Sequence, residues 1–171
     1  MKNLYKISLL VAVLVIIPSL VFAAEFRHGD QPSLMVGERV NGDLYMAGGN
    51  TTSAGRVVGD LFVAGGSVLV NGLVTGDLSA LGGNVTIVSD VSDDLRAAGG
   101  NITISGDVRG DVLLGGGQLN LVGNLISGDA ILAGGSVRID SKVGGSLKIA
   151  GGEVYINAPV AGDVNVKVDK L

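Results

Sequence analysis

Residues 59–75 read GDLFVAGGSVLVNGLVT, and residues 110–126 read GDVLLGGGQLNLVGNLI. Both are versions of one 17-residue unit, G-D-L-x-x-A-G-G-x-V-x-I-x-G-x-V-x. Copies follow at steps of 17 through Asp43, Asp60, Asp77, Asp94 and Asp111; one step of 18 leads to Asp129, and steps of 17 lead on to Ser146 and Asp163. A unit this short cannot enclose a core of its own. It is one rung of a stack, and each rung is stable only against its neighbours.

Numbering the Asp position 0 assigns the side chains. Position 1 holds Leu44, Leu61, Leu78, Leu95, Val112, Ala130, Leu147 and Val164; position 3 holds Met46, Val63, Ala80, Ala97, Leu114, Leu132, Ile149 and Val166. Positions 8 and 10 repeat the pattern, as in Val68 with Val70 and Ile102 with Ile104. Position 14 holds Val57, Val74, Val91, Val108, Leu125, Val143 and Val160. Apolar residues two apart mark strands, and β-branched side chains suit a buried pleated face. The expected fold is therefore all-β: a single-stranded β-solenoid of about eight rungs. Each rung should have three short strands, with positions 1, 3, 8, 10 and 14 inward. Pairs such as Gly65-Gly66 and steps such as Asn71-Gly72 mark the corners, where glycine supplies positive φ.

The solenoid is expected over residues 33–171. Its first rung is degraded, with Thr51 and Ser53 at aliphatic positions. Upstream, Leu34, Val36 and Val40 read as positions 8, 10 and 14 of a partial rung. The extra residue of the 18-residue step is placed at the corner Ile126-Ser127-Gly128. The sequence stops at Leu171, part-way through a rung, which implies either an open assembly edge or a continuation beyond it.

Residues 1–23 are of another kind. Lys2 and Lys6 precede an apolar run from Ile7 to Val21, and Val21-Phe22-Ala23 presents small residues at the −3 and −1 positions before Ala24. That is the layout of a secretory signal peptide. Left uncleaved, residues 7–21 would serve as a membrane attachment. Residues 24–32, AEFRHGDQP, read as a flexible tether. The repeat domain is then expected outside the cytoplasm, in the cell envelope or beyond. The chain has no cysteine, which excludes disulfides and lipid attachment through an N-terminal Cys. A net charge of −4 argues against nucleic acid or an anionic membrane surface as the main partner.

Little catalytic chemistry is legible. His28, the single histidine, falls in the tether without metal-ligating companions. The column Asp43, Asp60, Asp77, Asp94, Asp111, Asp129 and Asp163 reads as structural, each carboxylate capping its own corner as in an Asx turn. Paired acids on one outer face would be needed to cleave a polysaccharide, and Asp90, Asp93, Asp94 and Asp107 are the one cluster to consider. The glycine pairs recur in every rung with no helix after them, so they are not phosphate loops. No catalytic residue, cofactor, metal or small-molecule substrate is expected. Apolar residues do recur at the outward position 2, where Tyr45 neighbours Phe62 and Leu113 neighbours Ile131.

The strings VNGDL (40–44), VTGDL (74–78) and ITISGDVRGDV (102–112) resemble the bactofilin family of polymer-forming cytoskeletal proteins, and the likeness runs over about residues 33–171. The resemblance implies a right-handed triangular β-helix that polymerises end to end through its terminal rungs, with neither nucleotide nor catalysis. The leader points to an exported or membrane-linked branch. The functional expectation is a self-associating structural rod, a homopolymer. Its candidate contact residues are Val164, Val166 and Val168 at the end, and Tyr45, Phe62, Leu113 and Ile131 on the flank. A carbohydrate-active enzyme or a surface adhesin on the same scaffold is the alternative.

Overall fold

The computed structural model describes residues 24–168. The signal or anchor expected in residues 1–23 lies outside the described residues. Regular structure among the described residues is entirely β, and parallel strands stack as a β-solenoid of about eight turns. No described helix is long and apolar enough to cross a membrane.

One ten-residue strand per turn forms the spine: β4 (Leu44–Ser53), β6 (Leu61–Val70), β7 (Leu78–Ile87), β8 (Leu95–Ile104), β9 (Val112–Leu121), β11 (Ala130–Ile139) and β13 (Leu147–Ile156). Each pairs in parallel with the equivalent residue of the next turn, as in Leu61↔Leu78 and Val70↔Ile87. The expected first two sides are thus one strand folded at the glycine pair. The third side is minimal: β3 (Arg39–Asn41) pairs with β5 (Arg56–Val58), and β10 (Leu125–Ile126) with β12 (Lys142–Val143). Elsewhere it is a single bridge, such as Val74↔Val91. Its short backbone still delivers one β-branched side chain per turn to the core, Val57, Val74, Val91, Val108, Ile126 and Val143.

The core follows the repeat. Leu61, Val63, Val68, Val70 and Val74 of one turn are buried, and so are Leu78, Ala80, Val85, Ile87 and Val91 of the next. Identical positions stack about 4.8 Å apart, so the interior is a continuous aliphatic column. Asp60 stays at the partly exposed corner. Thr51 and Ser53 do face inward, and both are buried. Thr51 donates its hydroxyl to the Ala64 carbonyl at 3.1 Å, but the Ser53 hydroxyl has no partner. Ser53→Ala is therefore expected to stabilise the protein by about 1 kcal/mol, because an unsatisfied buried hydroxyl is removed. Chemical denaturation checks this.

The structure corrects the sequence reading in four places. Residues 24–32 are not a tether: β1 (Glu25–Gly29) pairs with β4 in parallel, Glu25↔Leu44 to Gly29↔Gly48. The partial rung is also shifted. β2 (Ser33–Leu34) aligns Leu34 with Ser53 at position 10, while Val36 is 82% exposed in the turn that follows. That turn adds two residues, is closed by the Glu38 N–H donating to the Met35 carbonyl, and carries Gly37 at φ 88°. Val40 does take position 14.

The 18-residue step falls earlier than expected. Ile126 bridges Val108 and is 2% exposed, while Leu125 is 40% exposed. The extra residue therefore lies between Leu121 and Ile126. Asp107 accommodates it by accepting from the backbone N–H groups of both Asn124 and Leu125, at 2.9 and 3.1 Å.

The glycine pairs are not there for positive φ, which among the glycines occurs only at Gly29, Gly37, Gly42 and Gly59. They are there for room. A Cβ on Gly82 would meet the Gly65 carbonyl oxygen at 2.8 Å, and one on Gly83 would meet that of Gly66 at 2.9 Å. Strands folding at the same corner, turn upon turn, leave no space for a side chain.

Candidate functional site

The Asp column is the most regular polar feature, and its chemistry is not the expected one. Each carboxylate reaches across to the next turn rather than capping its own corner. Asp43 Oδ1 accepts from the Asp60 N–H at 3.0 Å, Asp60 from Asp77 at 2.9 Å, Asp77 from Asp94 at 3.1 Å, and Asp94 from Asp111 at 2.8 Å. Asp111 serves Asp129, and Asp129 serves Ser146. The reason lies in the backbone. The N–H of position 1 donates to the position 0 carbonyl of the following turn, as Leu61 does to Asp77 at 2.9 Å. The position 0 N–H is left without a carbonyl at the corner, and the carboxylate supplies the missing acceptor. A shorter second column does the same at position 13, where Asp90 accepts from Asp107 at 3.0 Å.

This explains how carboxylates can stack. Each is bound by a backbone donor, and Arg96 bridges two of them, at 2.7 Å to Asp77 and 2.8 Å to Asp94. The acids considered for catalysis are divided between columns. Asp93 and Asp94 group with Asp77, their nearest oxygens within 4.8 Å of one another, while Asp90 belongs with Asp107. In Asp77 and Asp94, one oxygen is held by a backbone N–H and the other by Arg96, so neither is left free as an acid or base.

At the N-terminal end, β1 places Glu25 and Arg27 at the inward positions 1 and 3. Arg27 binds Glu25 at 2.7 Å, Glu38 at 3.1 Å and the Ser33 carbonyl at 2.5 Å, while Pro32 is buried beneath. Partial burial pulls the Arg27 guanidinium down, but hydrogen bonds to Glu25 and Glu38 outweigh it and hold it above its ordinary value. The Glu38 carboxyl is lowered by the Met35 N–H first and by Arg27 second. This network is a polar lid over the aliphatic column. Because Glu38 is depressed when folded, its contribution is present above its ordinary pKa of 4.5 and is lost as pH falls through the lower folded value. The Met35 backbone N–H resonance, whose donor is held by Glu38 alone, should therefore show an acid transition below about pH 4.5, and Glu38→Gln should abolish it.

The last described strand, β14 (Val164–Val168), pairs with β13, and among the described residues nothing pairs with its other edge; all five of its residues are exposed. Val164, Val166 and Val168, the contact residues expected at this end, lie on that strand. On the flank, Tyr45 and Phe62 stack at 4.7 Å with ring planes 2° apart, and Leu113 registers with Ile131. The sequence reading missed Phe26, which extends the aromatic stack at 4.8 Å. The repeat could not reveal it, because β1 lies 19 residues before β4 rather than 17. It also missed Leu81, which lines a shallow depression of about 360 Å³ beside these rings. His28 is exposed on β1, with no resolved hydrogen bond.

Comparison with protein-family models, curated proteins and solved structures yields no match.

Proposed function

We propose that this chain is a non-enzymatic structural rod of the cell envelope that associates with copies of itself end to end. The observation that carries the reading is the uniform parallel stack, in which each turn's strand edge is completed by the equivalent residues of the next turn, so that a turn of a second copy can complete an edge in the same way. Among the described residues, the Arg27 network covers the first turn, and the last described strand, β14, shows three exposed valines. An exposed strand edge of this kind templates further pairing unless something covers it. The uniform turns support the same reading, since they build no cleft in which a substrate could be enclosed. The 17-residue rungs and the V-x-G-D-L strings support a bactofilin-like relationship, and residues 1–23 support export.

Electron microscopy of the full chain isolated from the envelope tests the association. Joined rods are expected, and Val166→Asp should reduce them to single rods. Single rods of the unaltered chain at high concentration would contradict the proposal. Export has its own test. A mature N-terminus at Ala24 is expected on sequencing, while an intact Met1 in the membrane fraction would show residues 7–21 acting as the anchor.

A further inference from the structure

One side of the rod differs from the others in what it shows to solvent. Along the second half of each spine strand the outward residues are mostly polar, with Asn50, Asn84 and Asn101 at position 7 and Thr52, Thr86 and Thr103 at position 9, where Leu69 and Tyr155 are the exceptions. Along the first half they are largely apolar. Position 2 carries Phe26, Tyr45, Phe62, Leu113 and Ile131, with Ser79, Arg96, Lys148 and Asn165 at the remaining turns, while position 4 carries Ala47, Ala64, Leu81, Ala98, Gly115, Ala133 and Ala150 between His28 and Lys167 at the two ends. Phe62, Leu81, Leu113 and Ile131 are 38 to 57% exposed. The large residues of position 2 form a ridge, and the small residues of position 4 form a trough beside it.

We propose that a second copy of the chain packs on this side, the two rods lying parallel about a two-fold axis that runs along them. Positions 2 and 4 flank the inward position 3. A two-fold axis over the position 3 line sets position 2 of each turn against position 4 of the same turn in the other copy. Ridge then enters trough in four of the turns from β4 to β11: Tyr45 meets Ala47, Phe62 meets Ala64, Leu113 meets Gly115 and Ile131 meets Ala133. In the one central turn where the ridge is small, at Ser79, the trough is large, at Leu81. Residue sizes are thus complementary in the central turns, as an isologous contact requires, and the end turns, with Phe26 beside His28 and Asn165 beside Lys167, form its more polar rim. Arg96 does not obstruct the contact, because it is drawn to the corner by Asp77 and Asp94.

Area and charge favour this occupant. Nine strands stacked about 4.8 Å apart, each contributing about five residues, give roughly 600 Å² per copy. The total of roughly 1,200 Å² reaches the range of specific protein interfaces. The Asp column runs along one border of this side. Parallel packing sends the two columns to opposite borders, whereas antiparallel packing would bring them together and lay ridge on ridge. An anionic bilayer is disfavoured by the same line of carboxylates. This lateral pairing is independent of contact through β14.

The chain has no cysteine, so introduced thiols report alone. Two full-length chains, one with Leu113→Cys and one with Gly115→Cys, are co-expressed and oxidised in cells. Both also carry Val166→Asp, so that end-to-end association cannot contribute. A Cβ at Gly115 has nothing within 4 Å, so the substitution fits the fold. A disulfide-linked dimer is expected. Placing Ala47→Glu and Ala133→Glu in the trough, opposite Tyr45 and Ile131, should abolish it while leaving the thermal melt unchanged, since both alanines are exposed. Three results would overturn the proposal: no cross-link in the matched pair, a cross-link that survives the two glutamates, or preferential linkage of Leu113→Cys to Ser79→Cys, which antiparallel packing would give.

Discussion

Val74→Asp is expected to unfold the rod at ordinary temperatures. Val74 is fully buried, bridged to Val57 on one side and Val91 on the other. The third side brings only this residue to the core in its turn, so no neighbouring side chain can shift to admit water. A carboxylate there has neither a cation nor a donor, and the cost is on the order of 4 kcal/mol or more. Ile104→Asp, in the neighbouring column of position 10 residues, should behave alike. Leu69→Asp is the control, because Leu69 points outward between buried Val68 and Val70. Its effect should stay within about 1 kcal/mol. Thermal melts of the three variants separate the outcomes, and equal losses at positions 69 and 74 would mean that the assigned faces are wrong.

The second large effect concerns the carboxylate ladder. Asp77→Ala should cost about 1–3 kcal/mol, because the Asp94 N–H at the next corner loses its acceptor and Arg96 loses one of its two partners. Asp77→Asn should cost less than about 1 kcal/mol, since an amide oxygen can take the same N–H. Denaturant titration of the pair decides whether the column acts through its oxygen or its charge. If Asn proved as damaging as Ala, the ladder would depend on the full carboxylate, and the Arg96 bridge rather than the N–H contact would be the stabilising element.

Much of the fold was legible because the repeat states each position many times over. Five inward columns, the parallel stacking and the all-β class follow from apolar residues two apart between fixed corners, and the buried residues occupy those columns. Reading failed where the period breaks. Glu25 and Arg27 sit at inward positions of the first turn, but charged residues outside a 17-residue step look like linker. The two added residues after Leu34 shifted Val36 out of the core, and the single insertion before Ile126 exchanged the faces of Leu125 and Ile126. One residue of slip in a strand reverses every side chain, so an insertion must be placed to the residue before its neighbours can be assigned.

The polar and lateral features were legible only in part. The Asp column is plain in sequence, and the residues that compose it were read as they stand. Its partner was not, because an Asx turn and a contact 17 residues away need the same side chain. Tyr45 and Phe62 were visible as neighbours, whereas the trough of Ala47, Ala64 and Ala98 was not. Small residues beside a glycine pair look like corner composition until the structure shows which face they share.

The central claim is that successive 17-residue units stack in register along one straight rod. Spin labels at Thr52→Cys and Arg138→Cys test it most directly, because both residues occupy the outward position 9 and lie five turns apart through the ladders of β4 to β11. Pulsed electron resonance should give a narrow distribution centred near 24 Å, five strand spacings of about 4.8 Å. A broad distribution, or a distance under about 15 Å from units folded back on one another, would contradict the stack.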